Sequence, residues 1–160
     1  MAREHHFASR LRWSGSTAAG YRGYERTHTV TTPPAAQALQ VSAAPAFLGD
    51  ETHANPEQLV LAAASSCQLL SFLAEAARAG IEVVDYADDA AAVMPVTRGP
   101  MAITRIELRP VITVAAGTNH EAVERAAHRG HEQCFIANSL RSEVVVEVTV
   151  REAGTTRPAT

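Results

Sequence analysis

Cysteine is scarce: the 160 residues hold two, Cys67 and Cys134. So few exclude a disulfide-stapled scaffold, and their separation of 67 positions excludes a local CxxC motif. Aromatic residues make up only 5% of the chain, but with 46% hydrophobic residues it still suits a compact soluble fold, and disorder is not the default. A dominant charge is lacking too. The formal net charge is -3 and no run of basic residues occurs, so no nucleic acid and no anionic membrane is expected as a partner. Residues 1–13 carry Arg3, His5, His6, Arg10 and Arg12 without the apolar core of a secretory signal, which leads us to expect a cytoplasmic protein. The most apolar stretch, 59–74, is rich in Ala and Ser, holds Gln68 in its middle and falls short of the ~20 residues that span a bilayer. It reads as a buried helix.

What is present has the pattern of an α+β domain. Extended segments at 7–13, 24–32 and 39–42 are separated by turn signals at Ser14-Gly15-Ser16, Gly20, Gly23 and Pro33-Pro34, predicting a short antiparallel sheet. Asn55-Pro56-Glu57 opens a helix: Asn caps the free amides, Pro fits the first position and Glu favours the positive helix end. That helix is expected to run to Ala79 and stop at Gly80. Its apolar and small residues, Leu59, Val60, Leu69, Leu70, Phe72 and Leu73 among them, occupy nearly every face. A chain of this size supplies too little surface to cover such a helix, so a homodimer enclosing it is expected.

The stretch 81–114 is strand-like, with a hairpin signal at Thr97-Arg98-Gly99-Pro100. Thr118-x-x-Glu121 has the form of a capping box and predicts a second helix with Val123, Ala126, Ala127 and Gly130 on its inner face. Residues 143–150 alternate Val with Glu or Thr, a half-buried final strand. No internal repeat is visible, and the Gly, Thr and Pro of 152–160 suggest a frayed end. The expected organisation is one domain over 1–152 followed by a flexible tail at 153–160.

Composition alone leaves the cysteines open between two small core side chains and a redox pair. His128, His131 and Cys134 follow at three-residue spacing, but on a helix the first and last lie about 120° apart, so the three cannot converge on a metal unless the helix breaks. No metal site and no cofactor are expected. A reactive thiol with an ordinary pKa near ~8.5 needs a fixed cation to hold its thiolate, and Arg suits that role. Arg22 and Arg26 are available in the N-terminal sheet, and a carboxylate would orient the guanidinium through a bidentate contact. Glu57 is the candidate, with a plain first-turn charge as the alternative. His131, one turn before Cys134, either tunes that thiol or is simply a capping or solvated side chain.

Asn55-Pro56-Glu57-Gln58-Leu59 followed by Ala62-Ala63-Ala64-Ser65-Ser66-Cys67, then His131-Glu132-Gln133-Cys134-Phe135-Ile136-Ala137-Asn138-Ser139, resembles the OsmC and organic hydroperoxide resistance (Ohr) family. The resemblance spans about Phe7 to Val150. It implies an intertwined α+β homodimer, two central helices wrapped by antiparallel sheets from both chains. For chemistry it implies a hydroperoxide reductase in which Cys67 becomes a sulfenic acid, Cys134 resolves it as a disulfide, and an external dithiol restores the thiols. Glu57 matches the family's Glu residue for residue. The N-terminal segment departs from the Gly-Gly-Arg pattern of the Ohr branch, and Tyr24-x-Arg26-x-His28 resembles an OsmC-like branch, which selects Arg26 over Arg22 as the thiolate's partner. Glu57 and Cys67 are separated by ten helical residues, a rise of ~15 Å, so Glu57 is expected to serve the Cys67 of a second subunit unless the helix bends. Leu70, Phe72, Leu73 and Phe135 are expected to line an apolar pocket favouring organic hydroperoxides over hydrogen peroxide. The rival readings are a non-enzymatic thiol or metal-binding protein and a different thiol-based enzyme on the same scaffold.

Overall fold

The computed structural model describes residues 3–154, which fall into two compact units, one ending at Leu59 and one starting at Val60. The 155–160 part of the expected tail lies outside the described residues.

In the first unit, β1 (Arg10–Arg12), β2 (His28–Thr31) and β3 (Ala38–Val41) form an antiparallel sheet in the order β1-β2-β3, as the alternation of extended and turn-forming segments predicted. A 3-10 turn at Pro45–Phe47 closes the chain back on itself. Gly49 is required there: a Cβ would sit 1.7 Å from the Ala43 carbonyl oxygen.

Helix α1 (Pro56–Arg78) begins where the Asn-Pro-Glu signal placed it. The Asn55 side chain accepts the Gln58 N–H at 2.9 Å and Gln58 Oε1 accepts the Asn55 N–H at 3.0 Å, a reciprocal capping box in which Gln58 is the unforeseen half. At the other end Gly80 takes φ +67°, and the bonds Ile81 N–H to Ala76 O and Gly80 N–H to Ala77 O complete a Schellman turn. By length and composition alone α1 would pass for a membrane span. One face of it, however, is the core of the second unit: Ala64, Gln68, Phe72 and Ala76 recur at four-residue spacing and are buried. On other faces Ala62, Ser66, Leu70, Leu73 and Ala77 are exposed.

The rest of the second unit comprises β4 (Val83–Asp88), β5 (Ala91–Val93), β6 (Arg105–Leu108), β7 (Pro110–Val114), α2 (His120–Glu132), α3 (Phe135–Ser139), β8 (Glu143–Val146) and β9 (Thr149–Glu152). The sheets are β4-β7-β9 and β5-β6-β8, with β7–β9 and β6–β8 parallel and the other pairs antiparallel. Phe72 and Ala76 pack with Ile112, Val114, Val123, Ala126 and Ala127; a second cluster gathers Ala64, Ile106 and Leu108. The predicted inner face of α2 is therefore the observed one.

Three expectations need correction. The cap of α2 is Asn119, whose side chain accepts the Ala122 N–H; Thr118 instead turns its hydroxyl to the Ala115 carbonyl. The expected last strand is two, β8 and β9, each paired with a different partner. Cys134 does not lie in α2, which ends two residues earlier; it is the N-cap of α3, a five-residue helix that periodicity over longer windows does not reveal.

Candidate active site

Cys67 sits partly buried on α1, and the approach of α2 brings Cys134 to it. Gly130 makes that approach possible, since a Cβ there would lie 2.8 Å from the Phe72 nitrogen and 2.9 Å from its Cα. Gln68, fully buried, donates from Nε2 to the Ala127 carbonyl at 3.0 Å and ties the two helices. Beyond α2, the Cys134 N–H bonds the His131 carbonyl, and the chain turns directly into α3.

The first turn of α3 presents its free N–H groups to sulfur. Ile136 N–H donates to Cys67 Sγ at 3.5 Å and Ala137 N–H donates to Cys134 Sγ at 3.5 Å. Burial pushes the Cys67 thiol up, but donation from Ile136 N–H, the Cys134 thiol, Phe135 N–H and the Ser71 side chain outweighs it, and the pKa lies below the ordinary thiol value. Burial pushes Cys134 up to about 11, and its neighbour Cys67 reinforces the rise. The two thiols are thus differentiated: Cys67 is the more readily ionised, and the Cys134 thiol donates to it. The expected cation is not required for this much of the stabilisation, because backbone amides and the Cys134 and Ser71 side chains supply it.

A cavity of about 450 Å³ opens beside Cys67, lined by Leu70, Ser71, Ala74 and Phe135 and, on its charged side, by Glu75, Arg78 and Arg129. Glu75 is held by Arg78 at 2.5 Å and Arg129 at 3.3 Å. Of the apolar residues expected to line a pocket, Leu70 and Phe135 do so. Phe72 is instead a core side chain packed with Ile112, and Leu73 is no part of the lining.

Arg26 and Glu57 are placed in the first unit, where both line a separate cavity of about 580 Å³ walled by Trp13, Tyr21, Tyr24 and Phe47. The Arg26 guanidinium stacks 4.1 Å from the Tyr24 ring centroid and 5.1 Å from that of Tyr21, and donates to the carbonyls of Tyr24 at 2.8 Å and Tyr21 at 2.5 Å. Aromatic rings and loop backbone orient it, where a carboxylate was expected to. Arg22 is exposed and lines no part of this cavity.

Burial, reinforced by the charge of His128, lowers the His131 pKa, and its Nδ1 is buried without a hydrogen-bond partner among the described residues. His131 meets Cys134 through its carbonyl. Among the described residues no group of three or more His, Cys, Asp or Glu side chains is placed to hold a metal ion. The residues that sequence reasoning missed are Gln68, Ser71 and the amides of Phe135 and Ile136. Only Gln68, a polar residue inside an apolar run, carried a visible signal.

Comparison with known proteins agrees with this architecture. Over 156 residues the chain is 22% identical to the protein YmaD of Bacillus subtilis, covering 94% of this chain and 98% of that one. An OsmC-like protein of Vibrio cholerae superposes with a TM-score of 0.81 at 29% identity, covering 91% of this chain and 99% of the other. An organic hydroperoxide resistance protein OsmC of Legionella pneumophila superposes with a TM-score of 0.67 at 19% identity, covering 93% and 98%, a likeness of fold. The model of the family described as OsmC-like protein matches residues 49–149, a span that takes in both cysteines, and the chain belongs to that family.

Proposed function

We propose that the protein is a thiol peroxidase that reduces organic hydroperoxides. The observation that carries this reading is the differentiation of two adjacent thiols, one lowered and one raised, the lowered one lining a partly apolar cavity. The Cys67 thiolate attacks the outer oxygen of R–O–O–H; the O–O bond breaks, R–O⁻ leaves and takes a proton to become the alcohol, and Cys67 becomes a sulfenic acid. The Cys134 sulfur then attacks the sulfenic sulfur. Its proton and the sulfenic hydroxyl leave as water, and a Cys67–Cys134 disulfide forms. An external dithiol returns both cysteines to thiols and is itself oxidised to a disulfide.

The working unit on this reading is a homodimer. The exposed Ala62, Ser66, Leu70, Leu73 and Ala77 of α1 supply the apolar face that a second copy would cover. Arg26 and Glu57 are assigned to the Cys67 of that second copy, because ten helical residues, ~15 Å of rise, separate Glu57 from the Cys67 of its own chain.

Mass spectrometry tests the chemistry. One equivalent of cumene hydroperoxide should convert the reduced protein to a form with a single Cys67–Cys134 cross-linked peptide, and Cys134→Ser to a form with one trappable sulfenic acid on Cys67. Unchanged thiols after peroxide treatment would overturn the reading and favour a different use of the scaffold.

A further inference from the structure

Gln68 is 0% exposed, adjacent to Cys67, and stranded at one end: Nε2 bonds the Ala127 carbonyl, while Oε1 is buried with no partner among the described residues. An apolar residue of the same length would fill that space without desolvating an acceptor for nothing. The one thing it could not supply is a directional bond to one particular carbonyl. The surroundings show why such a bond matters. The buried face of α2 is Val123, Ala126, Ala127 and Gly130, mostly small apolar groups that fix how close the helices come but resist sliding weakly. The Glu75–Arg129 ion pair across the same helices is on the exposed rim and adjusts with its long side chain. Ala127 stands four residues before His131, whose carbonyl accepts the Cys134 N–H at 3.0 Å, so whatever holds Ala127 holds the approach of Cys134. Forming a disulfide demands that two sulfurs come from contact to a bond of ~2.05 Å with a defined dihedral, a geometry that a slide of one helical residue, ~1.5 Å, would spoil.

We infer that Gln68 is a positioning residue for the disulfide step, its bond to the Ala127 carbonyl setting the register in which α2 presents Cys134 to Cys67. This rests on the peroxidase reading, in which that disulfide is a required intermediate. The role is distinct from holding the fold, and the two separate by experiment.

Gln68→Met keeps length and bulk, removes the bond and also removes the stranded acceptor. Its thermal midpoint should therefore match or exceed that of the wild type. In a dithiothreitol redox buffer its Cys67–Cys134 disulfide should be about tenfold less favoured, a potential raised by ~30 mV, and the step from sulfenic acid to disulfide after cumene hydroperoxide about tenfold slower. Gln68→Asn keeps the amide but falls short of Ala127, and it should shift the potential the same way. A potential in both variants within twofold of the wild type's equilibrium constant overturns the inference. So does a Gln68→Met protein whose midpoint falls as its potential rises, since Gln68 would then only support the fold. The buffer measurement needs no peroxide chemistry, so a wild type that ignores hydroperoxide, together with Gln68 variants whose potential still shifts, would refute the peroxidase reading and leave the positioning role standing.

Discussion

Gly130→Ala tests the packing on which the site depends. The added Cβ would meet the Phe72 nitrogen at 2.8 Å, its Cα at 2.9 Å and the Ser71 carbonyl carbon at 3.0 Å, all backbone atoms of α1 that no side-chain rotation can move. Ordinary contact begins at 3.4 Å, so α2 must withdraw by about 0.6 Å, the difference between 2.8 and 3.4 Å. In a solvated helix the same change would stabilise by ~1 kcal/mol, because glycine is a poor helix former. Overpacking costs ~1–3 kcal/mol and should win, leaving a net loss of about 1 kcal/mol and a melting temperature lower by about 2–4 °C. The withdrawal also lengthens the 3.5 Å bond from Ile136 N–H to Cys67 Sγ, so the thiolate loses part of its stabilisation and should react more slowly with hydroperoxide at neutral pH. Calorimetry and stopped-flow oxidation read the two effects. A variant that melts higher than the wild type and oxidises at the same rate would refute the close-packing argument.

Other perturbations follow from the same geometry. A thiol alkylates as its thiolate: Cys67, lowered, should gain its iodoacetamide rate at a lower pH than an ordinary thiol and lose it as pH drops through its folded pKa, whereas Cys134, raised to about 11, should gain rate only as pH climbs toward that value. Peptide mapping across pH distinguishes the two, and equal alkylation of both cysteines at pH 8 would contradict the assignment. Asn55→Ala removes one half of the α1 capping box and should cost about 1 kcal/mol in urea unfolding, with little change in the reactivity of Cys67. Phe135, 80% exposed and lining the Cys67 cavity, contributes little to the core. Phe135→Ser should leave stability nearly unchanged and lower kcat/KM for cumene hydroperoxide by about tenfold, with a smaller effect on hydrogen peroxide.

The helices were legible because their ends and inner faces are written locally: Asn55-Pro56 and Gly80 bracket α1, and Val123, Ala126, Ala127 and Gly130 mark the buried stripe of α2. The α+β class and the N-terminal sheet followed from the same kind of signal. What stayed hidden depends on neighbours. Whether Thr118 or Asn119 caps α2 turns on which side chain Ala115 engages, and the split of 143–152 into β8 and β9 turns on two different partner strands. At the site, the search for a cation near Cys67 followed from its thiol chemistry alone. Two of the four donors that lower its pKa are main-chain N–H groups of Ile136 and Phe135, which carry no mark in the sequence, and a cysteine in the N-cap place of a five-residue helix lies outside the usual Ser, Thr, Asp and Asn.

The central claim is that Cys67 reduces hydroperoxides and Cys134 resolves the product. Steady-state consumption of cumene hydroperoxide with a dithiol reductant tests it most directly, in the wild type, Cys67→Ser and Cys134→Ser. The account predicts turnover by the wild type, none by Cys67→Ser, and by Cys134→Ser a single oxidation without a disulfide. Turnover that survives Cys67→Ser, or a wild type that consumes no hydroperoxide, would contradict it.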